Sequence, residues 1–328
     1  MQLRSISKWA KNSALLLLTL PVAAWLAFVP SAKEPPYSFV SAWGEKGSAP
    51  GQFDDPTGIA IAGDEVFVSD ARNGRIQVFD LTGRFKRQFG TPGKGAGQLG
   101  RPMNLAIHAG ELYVAEYFND RIQVFALDGK PQRTIAKSGS GPGEFNAPGG
   151  VAVAPDGDLI VPDFYHHRVQ RLKPDGKFVR QWGVTGEKGH TAAAFIYPTD
   201  AALAPDGRLY VADGYANRIQ VFDASGKFIA KWGGPFAVGV PGPFNGWFKV
   251  VTGLAVGPQG DIFAADFYNH RIQKFRADGS FLTSFGGQGS GPGQFNHAIA
   301  VAAADDGTVF ALDFGNNRVL KWKQAGAR

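Results

Sequence analysis

Cysteine is absent from all 328 residues, which excludes disulfides, a thiol nucleophile, a cysteine-held metal and a lipoprotein-type anchor, and leaves the redox compartment open. Charged residues make up only 19% of the chain, too few for a molecule of long, solvent-facing helices. Outside the N-terminus no run of lysine or arginine occurs. Of the formal net charge of +6, residues 1–36 hold +3 through Arg4, Lys8, Lys11 and Lys33 against Glu34. The +3 left for the body falls short of the electrostatic footprint of a nucleic-acid binder. Glycine (44), proline (21) and phenylalanine (26) are plentiful instead. Many glycines and prolines suit short strands joined by tight turns, and phenylalanine supplies the large apolar groups that sheet packing needs. Composition therefore argues for an all-β chain.

The N-terminus reads as a targeting segment. Arg4, Lys8 and Lys11 precede an apolar stretch, Ser13 to Val29, broken only by Thr19 and Pro21, and the polar run Ser31-Ala32-Lys33-Glu34-Pro35-Pro36 comes next. Positive charge on the leading side keeps the N-terminus in the cytoplasm and sends the body of the chain across the membrane. Cleavage after Ser31 would put Val29 and Ser31 at the two small-residue positions with Pro30 between them, a mediocre fit, so residues 1–33 read as a signal peptide or a signal-anchor segment, with retained anchoring preferred. The expected location is membrane-anchored or secreted, with the body on the extracytoplasmic, periplasmic side.

The remainder repeats one pattern. Its clearest copies are Val68-Ser69-Asp70-Ala71-Arg72-Asn73-Gly74-Arg75-Ile76-Gln77-Val78-Phe79 and Ala265-Asp266-Phe267-Tyr268-Asn269-His270-Arg271-Ile272-Gln273-Lys274-Phe275. The marker arginine falls at Arg75, Arg121, Arg168, Arg218, Arg271 and Arg318, at intervals of 46 to 53 residues. Each period holds four short strand signals, as in Gly58 to Ile61, Val66 to Val68, Ile76 to Phe79 and Phe85 to Phe89, which is the content of one propeller blade. The sixth copy stops near Trp322, one strand short. Tyr37-Ser38-Phe39-Val40-Ser41-Ala42-Trp43-Gly44 resembles the fourth-strand segments ending Gln181-Trp182-Gly183 and Lys231-Trp232-Gly233, so residues 37–43 are expected to complete the last blade and remove the open edge.

With its Asp-x-x-Asn-x-Arg-Ile-Gln-Val-Phe core and its Gly-Pro-Gly-Gln-Phe-x-x-Pro lead-in at Pro50 to Pro56 and Pro142 to Pro148, the chain resembles the NHL-repeat proteins over residues 37–324. The resemblance implies a six-bladed β-propeller spanning residues 34–328. In that family functions range from RNA and protein binding to a lyase activity, so function has to be argued from a site.

The acid–arginine pairs Asp70/Arg75, Glu116/Arg121, Asp163/Arg168, Asp213/Arg218, Asp266/Arg271 and Asp313/Arg318 recur in every copy and read as structural, closing a loop by charge-assisted bonds. The Pro-Asp-Gly tetrads at Ala154 to Gly157, Lys173 to Gly176 and Ala204 to Gly207 are hairpin turns rather than calcium loops, because the alternating acidic ligands are missing.

In a four-stranded meander the lead-in to the first strand, the second-to-third loop and the exit of the fourth share one face. That face gathers the unusual residues: Arg72, Tyr117, Phe118, Phe164, Tyr165, His166, His167, Tyr215, Phe267, Tyr268, His270 and Phe314. Such rings either stack on sugars, peptides or unpaired bases, or wedge between blades. Two lead-ins, residues 184–197 with Glu187, Lys188 and His190, and 234–250 with Phe236, Phe244, Trp247 and Phe248, are longer than the rest, and symmetry-breaking insertions on one face commonly build or cover a binding surface. The ligand-binding candidates are Arg72, Tyr117, Phe118, Tyr165, His166, Tyr215, Tyr268 and Trp247. The expected partner is a protein, a peptide or a cell-envelope glycan, with the membrane reached through the N-terminal segment and nucleic acid disfavoured. No metal and no cofactor is expected.

The alternative is a metal-dependent lyase or hydrolase. Asp213-Gly214-Tyr215 is similar to the tyrosine motif of the peptidyl-hydroxyglycine amidating lyases, and Arg72 stands where their catalytic arginine is expected. The resemblance implies a zinc held by three histidines after the proline of each first strand. Here those positions read Thr57, Met103, Gly149, Thr199 and Thr252, with only His297 able to match, and one imidazole cannot build that site. A gluconolactonase-like metal centre finds one main polar candidate on the inner strands, Asp200. The binding reading is preferred.

Overall fold

The computed structural model describes residues 29–324, so most of the targeting segment lies outside the described residues. Six four-stranded antiparallel sheets form the blades. Blade one is Pro56–Ala62, Glu65–Asp70, Arg75–Asp80 and Phe85–Phe89, counted from the central channel outwards. Blades two to five repeat this order from Pro102–His108, Ala152–Val153, Pro198–Leu203 and Val251–Val256. Blade six joins Ala298–Ala303, Val309–Asp313 and Arg318–Gln324 to the chain's first strand, Tyr37–Trp43, whose Tyr37 pairs with Gln324 and Trp43 with Val319. The ring closes as expected, and Tyr37–Trp43 covers the edge that Arg318–Gln324 would otherwise leave open. Among the described residues no helix is long and apolar enough to cross a membrane.

Each blade buries its two faces against its neighbours, because strands alternate side chains between faces and both faces here are covered. Apolar clusters occupy the interfaces between successive blades, and the one joining blades six and one packs Phe310 and Leu312 with Ile59, Val66 and Phe79. One residue of every lead-in is driven into this core: Phe53, Leu99, Phe145, Phe195, Phe248 and Phe295 are all buried. Burying a side chain of this size stabilises by about 2–3 kcal/mol.

The recurring carboxylates organise each blade's upper end. Asp70 Oδ2 accepts from Arg75 Nε at 2.7 Å and Gln77 Nε2 at 3.1 Å, and its Oδ1 accepts from the backbone N–H of Asp54 at 2.8 Å. Arg75 then donates to the carbonyls of Ser48, Ala49 and Gln52 in the lead-in. Equivalent acid–arginine bonds of 2.6–2.9 Å hold the other five blades. A buried charge pair is tolerated when its remaining hydrogen-bonding capacity is met, and here carbonyls of the lead-in meet it. The pairs are structural, as the repetition implied. The Ala154, Lys173 and Ala204 tetrads are hairpin turns, each closed by a glycine N–H to the first residue's carbonyl at 2.8–2.9 Å.

Candidate functional site

The lead-ins and the second-to-third loops lie on one face and surround a cavity of about 460 Å³ at the channel mouth. Six residues, one from the innermost segment of each blade, ring its floor: Thr57, Met103, Gly149, Thr199, Thr252 and Ile299. Thr57, Thr199 and Thr252 donate their hydroxyls to carbonyls of the next blade at 2.8–2.9 Å, stitching the ring together. One residue deeper, the same segments carry Gly58, Asn104, Gly150, Asp200, Gly253 and Ala300. Asp200 is buried, accepts the Leu254 N–H of blade five at 2.8 Å, and interacts with Asn104 of blade two. It passes in front of Gly150, where a Cβ would come within 2.4 Å of its Oδ1, so only glycine leaves room. Burial pushes the Asp200 carboxyl up to about 7, against the hydrogen bonds that favour its ionised form. Beyond this pair the channel is lined by aliphatic side chains such as Ile59, Leu105, Val151, Leu254 and Val301, and the mouth becomes a cup with a polar floor.

The cup's wall is aromatic. Tyr117, Phe118, Phe164, Tyr165, Tyr215, Phe267 and Tyr268 line it. Tyr117 donates its hydroxyl to Tyr165 at 2.8 Å, Phe164 packs 4.8 Å from the Tyr197 ring, and Tyr197 lies 5.2 Å from Tyr215. Burial, and then the bond to Tyr165, hold the Tyr117 phenol above its ordinary range. Burial and neighbouring tyrosines raise Tyr215 as well. Phe164 braces its neighbours, as the wedging expectation has it, whereas Phe118, Tyr165, Tyr215 and Tyr268 stay 44–63% exposed. Cations stand on the rim, with Arg101 5.7 Å from the Phe118 ring, Lys188 4.5 Å from Tyr197 and Lys249 5.8 Å from Tyr268.

Five of the eight candidates, Tyr117, Phe118, Tyr165, Tyr215 and Tyr268, therefore meet at one cavity. The other three do not. Trp247 is only 3% exposed, because its lead-in folds its ring inward against Gly242 and Phe244. His166 turns into its own loop, its Nδ1 2.9 Å from Asp163 Oδ2, where four other blades place the amide of Asn73, Asn119, Asn269 or Asn316. Arg72 reaches outward and pairs with Asp55 at 2.5 Å.

The loop histidines have a structural use that their sequence positions do not reveal. The last residue of each loop latches the next lead-in by accepting a backbone N–H: Asp120 from Ala147 at 2.7 Å, His167 from Tyr197 at 3.1 Å, Asn217 from Val250 at 2.8 Å, His270 from His297 at 2.9 Å and Asn317 from Asp55 at 3.0 Å. Gly74 takes this place in blade one. The latched residues Asp55, Ala147, Tyr197, Val250 and His297, together with Arg101, all sit at φ between 51° and 69°. This corrects the register assumed for His297. It is equivalent to Asp55, two residues before the floor ring, and the ring residue of blade six is Ile299. None of the six floor positions carries an imidazole. Tyr197 and Arg101, both at the latched position, were missed because lead-ins vary there and neither belongs to the repeated core.

The NHL repeat family matches residues 53–79, 145–172, 195–222 and 248–275, in blades one, three, four and five. The chain carries NHL repeats in a six-bladed propeller. A stretch of 48 residues is 50% identical to the protein Brain tumor of Drosophila melanogaster, covering 14% of this chain and 5% of that protein's length. Among solved structures, the fold is similar to a virginiamycin B lyase from Staphylococcus aureus, at 18% identity and a TM-score of 0.55 over 83% of this chain and 85% of that one. It is also similar to a structural-genomics protein of unknown function from Bacteroides thetaiotaomicron, at 17% identity and a TM-score of 0.66 over 87% and 75%. At such identities the likeness shows the fold alone.

Proposed function

From a closed six-bladed propeller that carries NHL repeats, we propose that the protein is a binding module on the outer side of a membrane, taking a protein, peptide or cell-envelope glycan at its aromatic mouth. The observation that carries this reading is the convergence of Tyr117, Phe118, Tyr165, Tyr215 and Tyr268 from four blades on one cavity with a polar floor. Exposed aromatic faces with phenol hydroxyls offer stacking surface and hydrogen bonds together, the combination that sugars and peptide side chains need. The apolar run at Ser13 to Val29 supports the membrane location.

A metal-dependent lyase or hydrolase is the second reading, favoured by the likeness to virginiamycin B lyase. Three features weigh against it. Arg72 is held by Asp55. Burial raises the Tyr215 phenol instead of readying it as a base. The floor ring offers threonine, methionine, glycine and isoleucine where three imidazoles would be required.

The test is a peptide and envelope-glycan array probed with the full chain in detergent and with its Tyr165→Ala, Tyr215→Ala and Ile229→Ala variants. Ile229 is exposed on the outermost strand of blade four and serves as the control. The expected result is probes retained by the parent and by Ile229→Ala but lost, by roughly tenfold in affinity for an anchoring aromatic, in the tyrosine variants. Equal retention by all four proteins contradicts the proposal.

A further inference from the structure

We infer that the crest of the blade-five lead-in rests on a lipid bilayer, so that the mouth of the propeller faces the membrane that anchors it. Among the described residues, eight of the twelve large apolar side chains left exposed lie on the mouth face, and three of them share one loop: Phe236 at 74%, Val238 at 46% and Phe244 at 41%. The loop is braced. Gly234 N–H donates to Gly246 O at 3.2 Å, Gly242 N–H to Phe248 O at 3.1 Å and Asn217 Nδ2 to Gly239 O at 2.9 Å. Phe244 packs edge-on against the buried Trp247, ring centroids 5.1 Å apart. A fixed loop that leaves apolar side chains this exposed is a docking feature, since monomeric proteins rarely leave such groups together without a use.

What covers the crest is indicated by the chain that reaches it. Residues 30–34 run along the outermost strand of blade five, where Lys33 and Glu34 N–H donate to Leu282 O at 2.7 and 3.2 Å and Glu34 binds Lys274 Nζ at 2.8 Å. At its upstream end this strap is pinned to the crest loop itself: Asn245 Nδ2 donates to Pro30 O at 3.3 Å, and Pro30 lies against Gly246. The apolar run Ser13 to Val29 ends at that point. A run of this length carries far more apolar surface than Val238 and Phe244 could cover, so a bilayer is taken as its medium. A run entering the bilayer beside Asn245 brings the crest to the same surface, where exposed aromatic rings and a nearby cation, Lys249, suit the headgroup region. The inference rests on reading residues 1–33 as a membrane segment.

Because the chain has no cysteine, single labels can be placed cleanly. Full-length Phe236→Cys, Phe244→Cys and Gln259→Cys, the last in a turn on the opposite face of the same blade, are reconstituted in phosphatidylcholine–phosphatidylglycerol vesicles and labelled with a polarity-sensitive fluorophore. The expected result is blue-shifted emission at 236 and 244 that a lipid-borne quencher extinguishes, with 259 unaffected. Three results overturn the proposal. Protein that fails to float with the vesicles sinks it together with the membrane-segment reading. Floated protein whose labels at 236 and 244 are as water-exposed as at 259 sinks the docking alone. A blue shift without lipid quenching assigns the crest to the chain's own apolar run.

Discussion

His167 and His270 sit where other blades latch with Asn217, Asn317 or Asp120, and an imidazole can accept the neighbouring N–H only while neutral. Burial lowers both histidines from the ordinary 6.5. Lys188 and His166 add to this at His167, whereas Asp313 and Lys249 act in opposite senses at His270. A depressed histidine gives stability that is present above the unfolded value and is lost as pH falls through 6.5 towards the folded one. The melting temperature is therefore expected to drop on acidification. His167→Asn, which keeps an acceptor, should flatten part of that drop, at a cost of about 1 kcal/mol or less at pH 7.5; an unchanged pH profile in His167→Asn would exclude the latch. Asp200 acts in the opposite sense. Between 3.8 and its folded value of about 7 the carboxyl is ionised when unfolded and protonated when folded, so stability declines as pH rises through that window. Asp200→Asn should remove this decline, read as a smaller loss of melting temperature between pH 5 and 8 than in the parent.

At the scale of the element, the lead-in is the part that turns repetition into a site. Each is nailed into the core by one residue and tied by its blade's arginine, so its variable residues are presented at fixed positions. Phe195→Ala should cost about 3–5 kcal/mol in denaturant unfolding, because the Phe195 ring is fully buried against Trp182 and Phe222 in the interface of blades three and four. Arg218→Leu should cost a similar 3–5 kcal/mol, since it strands the buried Asp213 carboxylate. The loop aromatics Tyr117, Phe118, Tyr165, Tyr215 and Tyr268 were legible as a group because the repeat places them between two fixed markers, an acid and an arginine. Trp247 was not: composition names an aromatic residue but not the side of the loop it faces, and its burial depends on Gly242 leaving room. The shift of His297 escaped for a related reason. Blade six has no proline to mark the start of its first strand, so only the pairing of Ala298 with Asp313 shows where that strand begins.

For the whole molecule, closure was the most legible feature, because a final copy lacking one strand and an initial segment with no copy of its own can satisfy each other. The strand Tyr37–Trp43 pairs with residues 319–324 of the last strand, and Tyr37 adds its ring to the core 4.7 Å from Phe285. Disrupting the pairing with Phe39→Pro, which faces Trp322 across the strands, should lower the melting temperature and promote association through the freed edge, seen as larger species in size-exclusion chromatography. The floor of the cup was less legible, since six residues far apart in sequence meet there only once the ring has closed. That floor decides between the two functional readings. The most direct test of a mouth that works by contact alone is the metal content of the full-length protein, measured by elemental analysis after dialysis without chelator. The account predicts no stoichiometric metal. About one zinc or calcium ion per chain would contradict it and move the lyase reading to the front.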